Sequence, residues 1–454
     1  MTPSIARQFA QFACSGTSIP DEVLVATDRA IFDTLGAMIA GGAHPTLAAV
    51  LAGQPQHPGR STLVTGGRCD AEAAAVINGM AAHVFDIDDT SYTGIMHGSA
   101  VILPVVLALA EELGAPTGTL QRAFVMGSEV TYTLAELCTH EHYFHGWWST
   151  VTSGLIGATV AAGLLLDLGE DQMVSAIGMA AAASGGGKAV FGTDAKPLLV
   201  GITARQAIGF ARMAQARVKG PEAAFEDARG YLKLLNCGVA RPEVLAELGQ
   251  RWRLVDPGLF FKTNPVCSAA HAAIDQMRAL IAQLNAQPGE IDRICADVPE
   301  LVFISLVYPD PQSPQEAQFS LPFALACVAL HGRVRFEDLT QATLNDPRLR
   351  ALMARVEVTS ASDLSTEDMR ARYPESARLT LHLRDGRTAS GFCGIARGMP
   401  GNAQTDLELI SKFDSAIAFA GMADCIDAKP GMNPAHILAE LMTPAKFLNQ
   451  RRTS

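Results

Sequence analysis

Apolar positions recur at helical spacing through most of the first 265 residues, and the runs are cut by glycine rather than by strand-like alternation. Helices are predicted over 21–40, from just after Pro20 to the Gly41-Gly42 pair, and over 71–86, 98–113, 117–139, 150–167, 170–184, 198–217 and 221–235, with stops at Gly114, Gly169 and Gly220. A short helical piece falls at 45–53, and 61–65 is a brief β-like run before Gly66-Gly67. After Pro265 the period changes. Residues 268–285 read as helix, whereas 291–298, 355–359 and 377–383 alternate as strands, and Asp385-Gly386-Arg387 reads as a hairpin turn. Helices at 317–331, 335–341 and 346–354 are interleaved, and helix returns at 404–420 and 432–444. The expected fold is therefore mainly α: a large all-helical domain over 1–266, a smaller α+β domain over 267–403, and residues 404–454 packing back onto the first.

Composition narrows the function classes. Of 454 residues, 48% are hydrophobic and only 18% charged, so much surface must be buried, including a subunit interface. A formal charge of −11 without any Lys/Arg run argues against nucleic acid and against an anionic membrane surface. The most apolar run, 151–166, ends at Asp167 without basic anchors and falls short of the ~20 residues of a bilayer span, so it reads as a core helix. Nine scattered cysteines (Cys14, Cys69, Cys138, Cys237, Cys267, Cys295, Cys327, Cys393 and Cys425) form no CxxC pair. They read as reduced thiols of a cytoplasmic protein, with no zinc or iron–sulfur spacing. The N-terminus lacks the shape of a signal peptide.

Chemistry concentrates in four stretches. Between two nearly uncharged helical segments lie three carboxylates, Asp86, Asp88 and Asp89, and two imidazoles, His83 and His97. Buried charge is costly unless paired or used. On a helix, His83, Asp86 and Thr90 share one face while Asp88 points elsewhere, and the Thr93-Gly94 break presents His97 from a loop or from the mouth of the next helix. The stretch reads either as a capping cluster with a loop histidine or as the acid/base wall of an active site. In the second stretch, glycines 185–187 and Gly192 let backbone approach a ligand, and Lys196 precedes Pro197 at a helix start. There its charge is disfavoured and the amine can act as a base, although an ordinary surface lysine fits the same residues. The run 185–189 is not a P-loop, because the first glycine of that motif is missing.

The third stretch, 260–271, puts His271 in the first turn of a helix among alanines that leave room beside the ring, an arrangement that also suits a structural histidine. Cys267, four residues away on the same helix, is not placed as a supported thiolate–imidazole pair. The fourth holds His140, Glu141, His142 and His145, but Phe144 stands where an HExxH frame needs its second histidine, and no metal is expected. It reads as a polar loop before a helix that starts near Thr150, with Ser149 as N-cap and free N–H groups open to an anion. Tyr308, in a proline-rich turn, covers a site or belongs to a plain surface loop.

Taken together, Asp86-x-Asp88-Asp89-Thr90 with His97, Phe191-Gly192-Thr193-x-x-Lys196-Pro197, Pro265-x-Cys267 through His271, and Phe319-Ser320-Leu321-Pro322 resemble the MmgE/PrpD family nearly end to end. The resemblance implies a large helical domain, a smaller α+β lid and a homodimer, with 2-methylcitrate dehydratase, cis-aconitate decarboxylase and iminodisuccinate epimerase among the family's activities. The matching site positions are Asp86, Thr90, His97, Lys196 and His271, with Tyr308 a further candidate. The chain departs from the pattern at Gly146-Trp147-Trp148-Ser149-Thr150, where dehydratases and decarboxylases carry Gly-Phe-His-Pro-Thr. A histidine gives way to Trp148, and a hydrogen bond to substrate or a proton donor is lost.

The resulting expectation is a cofactor-independent epimerase that abstracts a proton α to a carboxylate of a small anionic polycarboxylate such as iminodisuccinate. A dehydratase or decarboxylase of the same family is the alternative, and a non-catalytic carboxylate binder is the reading from another class. In the expected mechanism Lys196 serves one face of the carbon and His97 or His271 the other, while Asp86 orients a histidine. Thr90, Trp148, Ser149, Lys262 and Tyr308 bind substrate, and Lys188 and Arg205 add positive charge.

Overall fold

A computed structural model of the chain describes residues 3–422 and 426–442. The molecule is mainly α, with a large helical part and a smaller α+β part, as the periodicity predicts. The helices that position the site are α1 (Asp21–Gly42), α2 (Ala71–His83), α3 (Gly98–Leu113), α4 (Thr117–Cys138), α5 (Ser149–Leu165) and α6 (Ala195–Gln215). Helix α2 begins where the Asp70 side chain accepts a hydrogen bond from the Ala73 N–H, an N-cap interaction. Almost every side chain of α2, α3 and α5 is buried, so these are core helices rather than amphipathic ones. No single described helix is long and apolar enough to cross a membrane.

One contact sets the geometry of everything that follows. Helices α2 and α6 cross at Gly79 and Gly201, where a Cβ on Gly201 would stand 2.1 Å from the Val76 carbonyl oxygen. Without side chains at the crossing, the two backbones approach closely, and the C-terminal end of α2 meets the first turn of α6.

The α+β part contains α7 (His271–Leu284), α8 (Leu321–His331) and a four-stranded sheet of β1 (Ile291–Val298), β2 (Val356–Ser360), β3 (Ala377–Leu383) and β4 (Thr388–Cys393). The strand order is β2-β1-β3-β4, with β1 parallel to β2 and antiparallel to β3, and Ile294 opposite both Val356 and Leu381. Ala377, Leu379, Leu381 and Leu383 alternate inward along β3, and α7 packs on β3 and β4. Helix α9 (Asp406–Phe419) lies back on α1, where Phe413 stacks on Phe32 with centroids 4.4 Å apart.

The observed elements differ from the expected ones in instructive places. The predicted helix 71–86 ends at His83, and the predicted helix 198–217 begins three residues early, at Ala195. Of 221–235 only Tyr231–Asn236 is helical, because Gly220 and Pro221 seat against the backbone of the helix Glu170–Ala183 and turn the chain. The predicted helix 317–331 starts at Leu321, where Ser320 caps the Phe323 N–H and Pro322 occupies the first turn. Cys425 and the end of the predicted helix 432–444 lie outside the described residues.

Candidate active site

The segment between α2 and α3 is a loop, not the last turns of a helix. Asp86 adopts a left-handed conformation with φ of 51°, which ends α2 and which aspartate tolerates better than most residues. The loop is tied down on several sides. Thr90 and Phe260 exchange backbone hydrogen bonds of 3.0 and 2.8 Å, Ser91 pairs with Met96, and Lys412 of α9 donates to the Ile87 carbonyl at 2.8 Å.

As a result, side chains expected on different faces converge. His83 Nδ1 lies 2.9 Å from Asp88, and its Nε2 lies 2.5 Å from Lys196 Nζ across the glycine crossing. Lys196 Nζ is also 3.3 Å from Asp86 Oδ2, while Lys262 Nζ donates to Asp86 Oδ1 at 2.6 Å and to its carbonyl at 2.7 Å. His97, the residue before α3, turns Nδ1 to the Asp89 carbonyl and the Asp88 carboxylate, leaving Nε2 3.7 Å from Asp86 Oδ1. A carboxylate that accepts from His83 Nδ1 leaves Nε2 as an acceptor, so Lys196 is the donor in that pair.

Burial and charge act together on these groups. Burial lowers the Lys196 ammonium below the usual lysine range, against the opposing pull of Asp86. Burial likewise lowers His83, to about 4, so that imidazole is neutral near pH 7. Burial alone would raise Asp86 and Asp88, but the two ammonium groups hold Asp86 far down, and His83 and His97 do the same for Asp88. Asp89 is different, because burial beside Asp33 and Asp88 pushes it well up, toward the neutral acid. His83, Asp86, Asp88 and His97 are close enough to surround an ion. However, Asp86 already pairs with the ammonium groups of Lys196 and Lys262, and His83 Nε2 also faces Lys196, so a cation placed there would meet positive charge.

These groups open onto a small enclosed cavity of about 20 Å³, room for about one water molecule. Asp86, Thr90, His97, Trp148 and Lys196 line it from the helical side, and Cys267, Ser268, Ser305 and Glu375 from the α+β side. Around Lys196 Nζ stand the rings of Trp148, Phe191 and Phe319, with centroids at 5.3, 5.4 and 5.1 Å. The site is thus an amine in an apolar, aromatic enclosure backed by an imidazole and a carboxylate.

Several expectations need correction. His271 does not reach the cavity: its Nε2 accepts from the Asn264 N–H, its Nδ1 lies against the Ser268 and Cys267 carbonyls, and burial lowers it to about 3. It is a backbone-satisfied core histidine. Lys262 holds Asp86 instead of facing a ligand, and Asp88, not Asp86, orients His83. Ser149 is the buried first residue of α5, with Trp148 at the N-cap position and no side-chain cap, and it does not line the cavity. In its place Thr150 Oγ1 accepts the His97 N–H at 3.0 Å. Tyr308 lies outside the cavity, its ring over Gly192 and its hydroxyl donating to the Phe191 carbonyl at 2.9 Å, so the glycine admits a phenol rather than a ligand. Arg205 is exposed on α6. Lys188 is half-buried with Nζ 3.6 Å from the centroid of Tyr143, a cavity-lining ring, and burial lowers it to about 8. The histidines of 140–145 disperse, with His140 on the Tyr92 carbonyl and His142 on Thr152 and the Leu235 carbonyl.

The sequence reading missed Glu375, Ser268 and Tyr92. Glu375 is buried at the cavity wall, where it accepts from Tyr92 at 2.7 Å and Ser268 at 2.8 Å. A single glutamate in a polar connection before a strand carries no local mark of burial, so only tertiary closure reveals it.

The chain matches the MmgE/PrpD N-terminal domain over residues 7–241 and the MmgE/PrpD C-terminal domain over residues 265–424. It is 27% identical over 409 residues to cis-aconitate decarboxylase from Homo sapiens, covering 86% of this chain and 82% of that protein. It is 25% identical over 389 residues to cis-aconitate decarboxylase from Mus musculus, covering 82% and 77%. A cis-aconitate decarboxylase-like protein from Aspergillus oryzae is 23% identical over 357 residues, covering 73% and 72%.

Proposed function

The chain belongs to the MmgE/PrpD family, and from that premise we propose that it is a lyase of the cis-aconitate decarboxylase type, acting on a small polycarboxylate by proton transfer at carbon. The epimerase expected from the sequence moves to second place, because the relatives are decarboxylases. The observation that carries the reading is Lys196, a cavity-lining amine 2.5 Å from His83 Nε2 with three aromatic rings around it.

Such a wall suits decarboxylation. A carboxylate that leaves water for an apolar enclosure loses its hydration, which favours its departure as CO2. When the C–CO2 bond breaks in an unsaturated acid, the electron pair shifts to form a new double bond, and the far carbon of the old one takes a proton. In this reading Lys196 supplies positive charge beside the developing electron pair, and His83, held by Asp88, keeps the amine aimed. His97 Nε2 meets a remaining carboxylate, and Lys188 beside Tyr143 draws the anion to the mouth of the site. The cavity has to widen to admit a tricarboxylate. Two chains are proposed to pair as a homodimer, on the apolar composition.

Epimerisation at the carbon α to a carboxylate, as in iminodisuccinate, is the second reading. Trp148 favours it, since this ring lines the cavity yet offers no acid or base there. The test is to incubate the purified protein in D2O with cis-aconitate, 2-methylcitrate and chiral iminodisuccinate and to follow each by proton NMR. Release of CO2 from cis-aconitate with a new terminal methylene signal and one deuterium at carbon is the expected result, and Lys196→Ala abolishes it. Loss of the α-proton signal of iminodisuccinate with loss of rotation and no new product would instead establish the epimerase.

A further inference from the structure

We propose that Glu375 is the acid/base group of the wall opposite Lys196, so that the ligand is held between a lysine from the helical side and a carboxylic acid from the α+β side. The inference rests on the reading that the cavity performs proton transfer at carbon. It also gives the role expected of His271 to a residue that lines the cavity.

Three observations carry it. First, only two carboxyl groups line the cavity among the described residues, Asp86 and Glu375, and they are held in opposite ways. Asp86 is paired with Lys196 and Lys262, at 3.3 and 2.6 Å, and is locked as an anion. Glu375 makes no ion pair among the described residues; its oxygens accept only from two neutral hydroxyls, Ser268 Oγ at 2.8 Å and Tyr92 OH at 2.7 Å. Second, those two bonds reach opposite oxygens of one carboxyl, which fixes its plane as a proton donor requires. Third, the groups that face it leave its charge state open to the ligand. Burial keeps the phenols of Tyr92 and Tyr143 and the thiol of Cys267 neutral, and the remaining charges, Lys262 and Asp86, are bonded to each other. Burial itself raises Glu375 above the usual glutamate range. An incoming polycarboxylate adds negative charge and favours the protonated form further.

In the step itself the Glu375 O–H bond breaks, and the proton goes to the carbon that holds the electron pair released with CO2. Under the epimerase reading the same proton goes to the face opposite the one Lys196 deprotonates. The carboxylate left behind is reprotonated from solvent when product leaves.

The test compares wild type with Glu375→Gln, Glu375→Asp and Tyr92→Phe, recording kcat and KM against pH, with thermal melting to verify folding. Expected for Glu375→Gln is a loss of kcat of about 10²–10⁴-fold, with KM changed far less. Wild-type activity falls as pH rises through the Glu375 titration, and that limb disappears in Glu375→Gln but persists in Glu375→Asp. Tyr92→Phe removes a bond to the charged form and moves the limb to higher pH, a shift that a purely structural role would not produce. A folded Glu375→Gln with unchanged kcat and pH profile, in a protein that Lys196→Ala inactivates, overturns this proposal alone. Wild-type protein inert toward all three acids overturns the functional reading and this proposal with it.

Discussion

Lys196 Nζ stands 2.5 Å from His83 Nε2, and the other nitrogen of that imidazole is held by Asp88 at 2.9 Å. The carboxylate fixes which ring nitrogen carries the proton, and the ring in turn fixes where the amine points. Asp88→Asn keeps the shape but lets an amide donate to Nδ1, which puts the ring proton on Nε2 against the lysine. We expect kcat to fall by about 10²–10⁴-fold with little change in KM, by analogy with the carboxylate-to-amide change in serine proteases. Steady-state kinetics together with an unchanged circular dichroism spectrum would verify it; undiminished turnover would show that the His83 tautomer is irrelevant.

The same pair depends on two glycines. A methyl group at position 201 meets the Val76 carbonyl oxygen at 2.1 Å, a backbone atom that cannot swing aside. Gly201→Ala should therefore destabilise the fold by about 1–3 kcal/mol. It should also lower kcat by about 100-fold, the effect of a misplacement of about 1 Å. Urea melts and kcat measured on one preparation test both halves.

Lys262 is a buried counter-charge to Asp86, so its removal acts through the cluster and not through substrate contact. Lys262→Met leaves Asp86 with one ammonium group and should cost about 3–5 kcal/mol. It also removes a positive charge that helps to lower Lys196, so any pH limb due to the lysine should move upward. A large rise in KM with unchanged stability would instead mark Lys262 as a substrate ligand.

Three buried histidines make stability depend on pH. His83 and His142 are lowered to about 4 and His271 to about 3, in each case mainly by burial. Their folded values lie below the ordinary value near 6.5, so the unfolded chain takes up protons first as pH falls. Their contribution is complete above about pH 6.5 and is lost as pH falls through about 4 toward 3. The denaturation midpoint should therefore drop across that interval, and the slope should be shallower in His142→Gln, a change outside the cavity. An identical slope in that variant would rule out His142 as a source.

The sequence by itself determined what local pattern controls. Helix 98–113 and strands 291–298 and 377–383 appear with the predicted bounds, because their apolar positions keep the period of the element over most of its length. The clustering of carboxylates and imidazoles at 83–97, and the exceptional position of Lys196, were legible because charge stands out in apolar surroundings. Tertiary structure decided which of those groups meet. Helix α2 ends at His83 because Asp86 turns left-handed to bond Lys262, 176 residues away, and that turn swings Asp88 onto the histidine. His271 left the site once backbone carbonyls satisfied its ring, and Glu375 entered it through Tyr92, 283 residues distant. Burial and partner choice arise when distant segments close on one another, so the charge state and role of a side chain belong to the folded molecule, whereas its helical or strand setting is written locally.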